Sequence, residues 1–212
     1  MLYRLRMDQS RLKAVQSLTT RAEMKRTMLP AYADWVEGVL SADTGQTDEV
    51  LTAVMIWRLD VGDLAPALRI AEYVLRHQLP LPDQYRRTPA TLVVDEICDP
   101  ALTAFAATSS PVIPVDPALL RQVVALTEGH DMPDEVRAKL LKTLAYTLRN
   151  RAADGDSAEA LSLLQQALRL HSGIGVKRDI EVLDRQLKKA AESTPASKTT
   201  KRTPAGRKRA AG

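Results

Sequence analysis

The sequence predicts an all-α protein: a compact helical domain with two tetratricopeptide-like helical hairpins, a basic N-terminal helix and a disordered basic C-terminal tail. Three observations predict it. LTAVMIWRLDVGDLAPALRIAEYVL, residues 51–75, is dense in apolar side chains and is broken only at Gly62-Asp63. GDLAPALRIAEYVLRH at 62–77 aligns without a gap with GDSAEALSLLQQALRL at 155–170, with identities at Gly62/Gly155, Asp63/Asp156, Ala65/Ala158, Ala67/Ala160 and Leu68/Leu161. Helix-entry signals recur, with an acid or proline placed just ahead of an apolar-periodic run, as at Asp116-Pro117 and Pro133-Asp134. At 212 residues and 45% hydrophobic composition the chain can bury one substantial core, so one domain with appendages is expected.

The elements follow in order. Residues 8–27 read as a basic helix within a basic segment spanning 1–28, with Leu12, Val15, Leu18 and Ala22 as a discontinuous apolar face. Leu29-Pro30 interrupts it and opens the helical core, expected over 29–192. YADWVEGVL begins a short helix in which Tyr32, Trp35, Val36, Val39 and Leu40 are expected to pack, and 41–47 is a loop. Residues 48–59 are apolar enough for a buried helix. Gly62-Asp63 breaks it, Asp63 is expected to cap the next helix, and Pro66 sits in that helix's first turn, which gives a first hairpin near 48–77. Trp57 is read as core, not as a platform for a nucleobase.

A Pro-rich connection at 79–88 presents Arg86 and Arg87 to solvent. TLVVDEICDPALTAFAA restores helical material, expected to split near Asp99-Pro100, while the apolar run 91–94 leaves a β segment open. SSPVIPVDPAL is a second connector, after which Asp116-Pro117 starts a helix running to Glu128. MPDEVRAKLLKTLAYTLRNR forms a helix after Pro133 and, with 155–170, a second hairpin near 136–170. Residues 179–192 close the fold as an amphipathic helix with Ile180, Leu183 and Leu187 on one face.

Charge is distributed unevenly. Residues 1–26 carry seven Arg/Lys against Asp8 and Glu23, and 193–212 carry six against no acid; with +4 overall, the stretch between stands at about −7. The tail, STPASKTTKRTPAGRKRAAG, has too little apolar material to offset the entropy of ordering. Basic ends of this kind suit phosphate contacts and counterion release. Solvated charged surfaces, or a grip on acidic proteins, are the competing readings. The DNA-contact candidates are Arg11, Lys13, Arg21, Lys25 and Arg26, then Arg86 and Arg87, then Lys198, Lys201, Arg202, Arg207, Lys208 and Arg209. A flexible tail would add affinity without base discrimination.

Several classes are disfavoured. No run of 18 apolar residues offers a membrane span, and the start lacks the apolar stretch and cleavage site of a signal peptide, so a cytoplasmic protein is expected. Cys98 is alone, and His77, His130 and His171 lie far apart, so neither a disulfide framework nor a zinc site is expected. There is no GxxxxGK[ST], HExxH or GxSxG pattern. The sharpest enzymatic signal is Asp95, Glu96 and Asp99, three carboxylates within five residues, a residue type that with Mg²⁺ can orient water for phosphodiester hydrolysis; a solvated or capping acidic cluster is the favoured reading.

LPAYADWVEGVL at 29–40, the 51–75 tract, YRRTP at 85–89, MPDEVRAKL at 132–140 and GVKRDIEVLDRQLKK at 175–189 together resemble the small terminase subunit, or terminase endonuclease subunit, of temperate tailed phages of the peduovirus type. The resemblance covers about residues 8–192; the tail shares only basic composition, and less sequence precedes the matching region than the family leads one to expect. It implies genome packaging: recognition of the cohesive-end site on concatemeric double-stranded phage DNA, oligomerisation, and recruitment of a large ATPase subunit in the bacterial host. It also carries the family's endonuclease role, for which these residues offer no independent active site. A Mg²⁺ cofactor enters only if the acidic cluster is itself catalytic.

Overall fold

The computed structural model describes residues 1–82, 85–107 and 115–193. Among them the fold is helical throughout: α1 (Leu2–Lys13), α2 (Leu18–Met28), a 3-10 turn (Leu29–Tyr32), α3 (Ala33–Ala42), α4 (Glu49–Asp60), α5 (Leu64–Arg76), α6 (Pro89–Ala107), α7 (Pro117–Thr127), α8 (Asp134–Arg151), α9 (Asp156–Leu170) and α10 (Lys177–Ser193).

The centre is α4. Its residues 50 to 57 and Leu59 are all buried, so every face of the helix meets protein, as its all-round apolar sequence demands. Asp48 starts it by accepting a 2.8 Å hydrogen bond from the Leu51 amide. On one side α5 packs Ala67, Leu68, Ile70, Ala71, Val74 and Leu75 inward. On another, Tyr32 stands edge-on to Trp57 with ring centroids 5.8 Å apart. Trp57 is 6% exposed, a core residue as expected. The helix pairs α4/α5 and α8/α9 each turn at a glycine with positive φ, +75° at Gly62 and +83° at Gly155.

The N-terminal segment differs from a single helix over 8–27. It forms two helices, because the Ser17 hydroxyl caps α2 by accepting from the Thr20 amide and so restarts the backbone after Lys13. Its apolar face is also partly different: Leu5 and Leu12 enter the core, whereas Leu18 is 78% exposed. Residues 89–107 do not split at Pro100, and 91–94 are helical; the ring removes only the bond to the Glu96 carbonyl inside a helix whose buried face runs from Ala90 to Ala101. Asp63 does not cap α5 through its side chain; it pairs with Arg58 instead. Trp35 is 40% exposed and not packed, while Tyr32 and Val36 from the same segment are buried.

The remaining elements follow their sequence signals. The Asp116 carboxylate accepts from the Ala118 amide at 2.7 Å with Pro117 opening α7. In α10, Leu183 is buried and Ile180 packs against the core.

Candidate nucleic-acid interface

Three cations of the N-terminal segment line the cleft between α1 and α2. Its lining includes Gln9, Leu12 and Lys13 from α1, Arg21 and Lys25 from α2, and Trp57 and Glu49 from α4. The α1 period explains the placement: Leu5, Asp8 and Leu12 share the inward face, and Gln9 and Lys13 lie on the flank beside it. Three of the five N-terminal candidates thus border one depression about 380 Å³ in volume.

They differ in freedom. Lys13 is exposed. Arg21 donates through Nε to the Val15 carbonyl, which ties α2 to the linker before it. Lys25 forms an ion pair with Asp60 at the end of α4, its side chain only 16% exposed, and Arg26 Nη2 donates to the Val61 carbonyl at 3.2 Å. Lys25 and Arg26 therefore dock α2 on the end of α4 as well as contributing positive charge. Arg11 lies outside the cleft, 65% exposed and 3.5 Å from Asp8.

Arg86 is exposed, with no ion pair among the described residues, while Arg87 Nη1 donates to Asp95 at 2.7 Å. Lys198, Lys201, Arg202, Arg207, Lys208 and Arg209 lie outside the described residues.

The acidic cluster is drawn into salt bridges. Asp95, 7% exposed, sits between Arg87 and Lys139, whose Nζ lies 2.8 Å from Asp95 Oδ1 and 2.6 Å from Asp99 Oδ1. Lys139 comes from α8, 44 residues from Asp95, so no local spacing in the sequence pointed to it. Glu96 faces another way: burial first, then the nearby Asp60 carboxylate, push its pKa above the usual range. No group of three His, Cys, Asp or Glu able to hold a metal occurs among the described residues. The Asp95 and Asp99 donor set does not fit Mg²⁺ as arranged, because the Lys139 ammonium already lies against both carboxylates.

His171 lines the same groove as Asp95 and Lys139, and His77, at the end of α5, has Nε2 2.8 Å from Asp43 at the end of α3. Cys98 is fully buried, and burial pushes its thiol up to about 12, an inert core residue.

Fold and surface define an all-helical protein with a cationic cleft at its N-terminal end and with Asp95 and Asp99 held in ion pairs. No helix among the described residues is long and apolar enough to cross a membrane. A model of the phage small terminase subunit family matches residues 2–135. The chain is 45% identical over 199 residues to the terminase, endonuclease subunit, of Escherichia phage P2, an alignment covering 94% of this chain and 78% of that protein. It is 27% identical over 200 residues to the probable terminase, endonuclease subunit, of Haemophilus phage HP1 (strain HP1c1), covering 87% of this chain and 69% of that protein. No solved structure matches. The chain belongs to the phage small terminase subunit family and is a small terminase/endonuclease subunit of phage DNA packaging.

Proposed function

We propose that this subunit is the DNA-recognition component of its terminase: it binds concatemeric double-stranded DNA at the cohesive-end packaging site and directs cleavage and packaging together with a large ATPase subunit in the host cytoplasm. The observation that carries this reading is the α1–α2 cleft, where Lys13, Arg21 and Lys25 border one open depression. A duplex backbone laid along it would meet Lys13 on one wall and Arg21 on the other, and exchange of counterions for these two groups would supply sequence-independent affinity. Arg11 flanks that path, Arg86 is an exposed cation elsewhere on the surface, and the tail cations would add non-specific grip. In the same reading the α4/α5 and α8/α9 pairs act as tetratricopeptide-like scaffolds that hold the cleft and present a surface to the motor subunit, and the protein works as a homo-oligomer.

Duplex affinity measured across salt concentrations, without metal, tests the cleft. Lys13→Ala and Arg21→Ala should each weaken binding across sequences and lower the salt slope by about one. Affinity and slope unchanged in the double variant would remove the cleft from the function.

Intrinsic nuclease activity is the alternative, motivated by the convergence of Asp95, Asp99 and Lys139 in one open groove. It requires Mg²⁺-dependent cutting by this chain alone, abolished in Asp95→Asn or Asp99→Asn while the fold is retained. Because Lys139 occupies those carboxylates, we assign the cutting carboxylates to the assembled complex and not to this cluster.

A further inference from the structure

Two surfaces outside the cleft combine exposed apolar residues with unpaired charges of opposite sign. The first is the outer ridge of α1. Tyr3 is 79% exposed and Met7 45% exposed. Being four apart, they are neighbours on one helix face, turned away from the inward Leu5, Asp8 and Leu12. Arg6 lies beside them, exposed and with no ion pair among the described residues. Leaving most of a tyrosine ring in water forgoes a large apolar burial, and none of the described residues covers it.

The second surface is a groove about 310 Å³ in volume along α3, whose lining includes Asp34, Trp35, Gly38, Val39 and Asp48. Trp35 is 40% exposed, yet its ring is fixed, because Nε1 donates to Asp48 Oδ2 at 3.0 Å. Gly38 leaves bare backbone in the groove: a Cβ built there meets nothing within 4 Å. The groove is anionic for a reason visible in the chain, since residues 27–57 contain Asp34, Glu37, Asp43, Asp48 and Glu49 and no lysine or arginine. Glu37 and Asp43 are paired with Arg69 and Arg76 from α5, whereas Asp34 and Asp48 have no cationic partner among the described residues.

We propose that the Tyr3–Met7 ridge of one copy docks in the Trp35–Gly38 groove of a second copy of this chain, with Arg6 brought against the Asp34 carboxylate. The two surfaces complement each other in charge and in apolar shape. Neither complements itself: two ridges bring arginines together, and two grooves bring aspartates together. The contact is therefore head-to-tail, and each copy keeps one free ridge and one free groove until the assembly closes on itself. This deepens the oligomeric part of the proposed function, and the Tyr3–Met7 ridge is separate from the DNA cleft, whose α1 lining is Gln9, Leu12 and Lys13.

The test uses the full chain and measures mass in solution by light scattering across protein concentrations. Tyr3→Ser/Met7→Ser removes the ridge. Gly38→Gln/Asp34→Asn fills the groove and neutralises it, at exposed positions where the fold has room. Wild type should assemble with rising concentration, and each double variant should remain monomeric at concentrations at least about ten-fold higher. Mixed in equal amounts, the two variants should form a dimer and nothing larger, because the pair retains one intact ridge and one intact groove. Assembly of either variant like wild type, failure of the mixture to dimerise, or a wild type that stays monomeric would each overturn the proposal. Neutralising the six tail cations to glutamine should leave assembly intact; lost assembly there would give the groove to the tail and also overturn it. Duplex binding by the monomeric variants reads the cleft separately, so a failure of the DNA reading is not mistaken for a failure of this one.

Discussion

Arg151 grips Asp156 with two parallel hydrogen bonds, Nε to Oδ2 at 2.8 Å and Nη2 to Oδ1 at 2.5 Å, across the turn that joins α8 to α9. The same pair recurs 93 residues upstream, where Arg58 at the end of α4 meets Asp63 across the turn into α5. Each arginine lies five residues before its aspartate, and the glycine between them has positive φ. The echo between the two segments is therefore a repeated corner and not only a repeated helix. The corners differ in strength. Asp156 is 3% exposed and also accepts from the Ala153 amide, whereas Arg58 reaches Asp63 through one nitrogen and the Asp63 side chain is 42% exposed.

That difference predicts a split between two conservative changes. Lysine cannot reproduce the fork that Arg151 makes, but can reproduce the single contact of Arg58. Arg151→Lys should lower the melting temperature, and Arg58→Lys should lower it less. Equal losses would show that the two corners carry the same contact in solution.

The second corner also leaves an acid signature. Its hydrogen bonds to Arg151 hold the Asp156 carboxyl down to about 2, below the ordinary 3.8. A carboxyl depressed in the folded state contributes stability that is full above its unfolded pKa and is lost as pH falls through the folded value. Asp156→Asn should therefore flatten the stability profile between about pH 4 and pH 2. An unchanged acid limb in chemical denaturation would count against the pair.

Much of the helical plan was legible because its signals are local. Asp48, Asp116 and Pro133 mark helix entries through the chain's immediate neighbours, and the all-apolar 50–57 run has nowhere to go but inside. What sequence reading missed depends on partners distant along the chain. Lys139 reaches Asp95 from 44 residues away, and Lys25 reaches Asp60 from 35. Leu18 and Trp35 were assigned to packing by residue type, but the capped restart at Ser17 and the Asp48 hold on the indole leave both exposed. One missed signal was available: extending the Gly-Asp alignment four residues to the left pairs Arg58 with Arg151.

The buried Tyr32 hydroxyl donates to Asp8 Oδ2 at 2.8 Å and joins α1 to the core. Burial, then this bond, raise the Tyr32 pKa well above its ordinary value, so the phenol remains a donor throughout the physiological range. Tyr32→Phe leaves a 5% exposed carboxylate without that donor and should cost about 1–3 kcal/mol, seen in the denaturation midpoint. Amide exchange should quicken first in α1. A loss spread evenly over the protein would mean that α1 is held by Leu5 and Leu12 alone.

Lys139 is predicted to be a structural cation. Lys139→Met strands Asp95 with Arg87 as its remaining ion-pair partner and should destabilise the fold by about 1–3 kcal/mol. Asp99→Asn should cost far less, since that side chain is 58% exposed, and it should leave cleavage by the reconstituted terminase intact. Loss of cleavage in a stably folded Asp99→Asn protein would return the acidic cluster to the catalytic account.

Glu96 offers the opposite sign of pH dependence. Burial, then Asp60, push its pKa up, with Arg87 opposing. For an acid, a raised folded pKa means that the native state favours the protonated form, so stability is lost as pH rises from the unfolded value through the folded one. At neutral pH ionised Glu96 is a cost, and the neutral isostere Glu96→Gln should stabilise the protein by a few tenths of a kcal/mol, roughly 1 °C in melting temperature for a chain of this size. The gain should vanish below about pH 4, where both side chains are uncharged. Because Lys25 neutralises Asp60, Lys25→Met should sharpen the repulsion between Asp60 and Glu96, and it should be less damaging in the Glu96→Gln background than in wild type. A double-mutant cycle showing no coupling would detach Lys25 from this network and leave its charge free for the cleft.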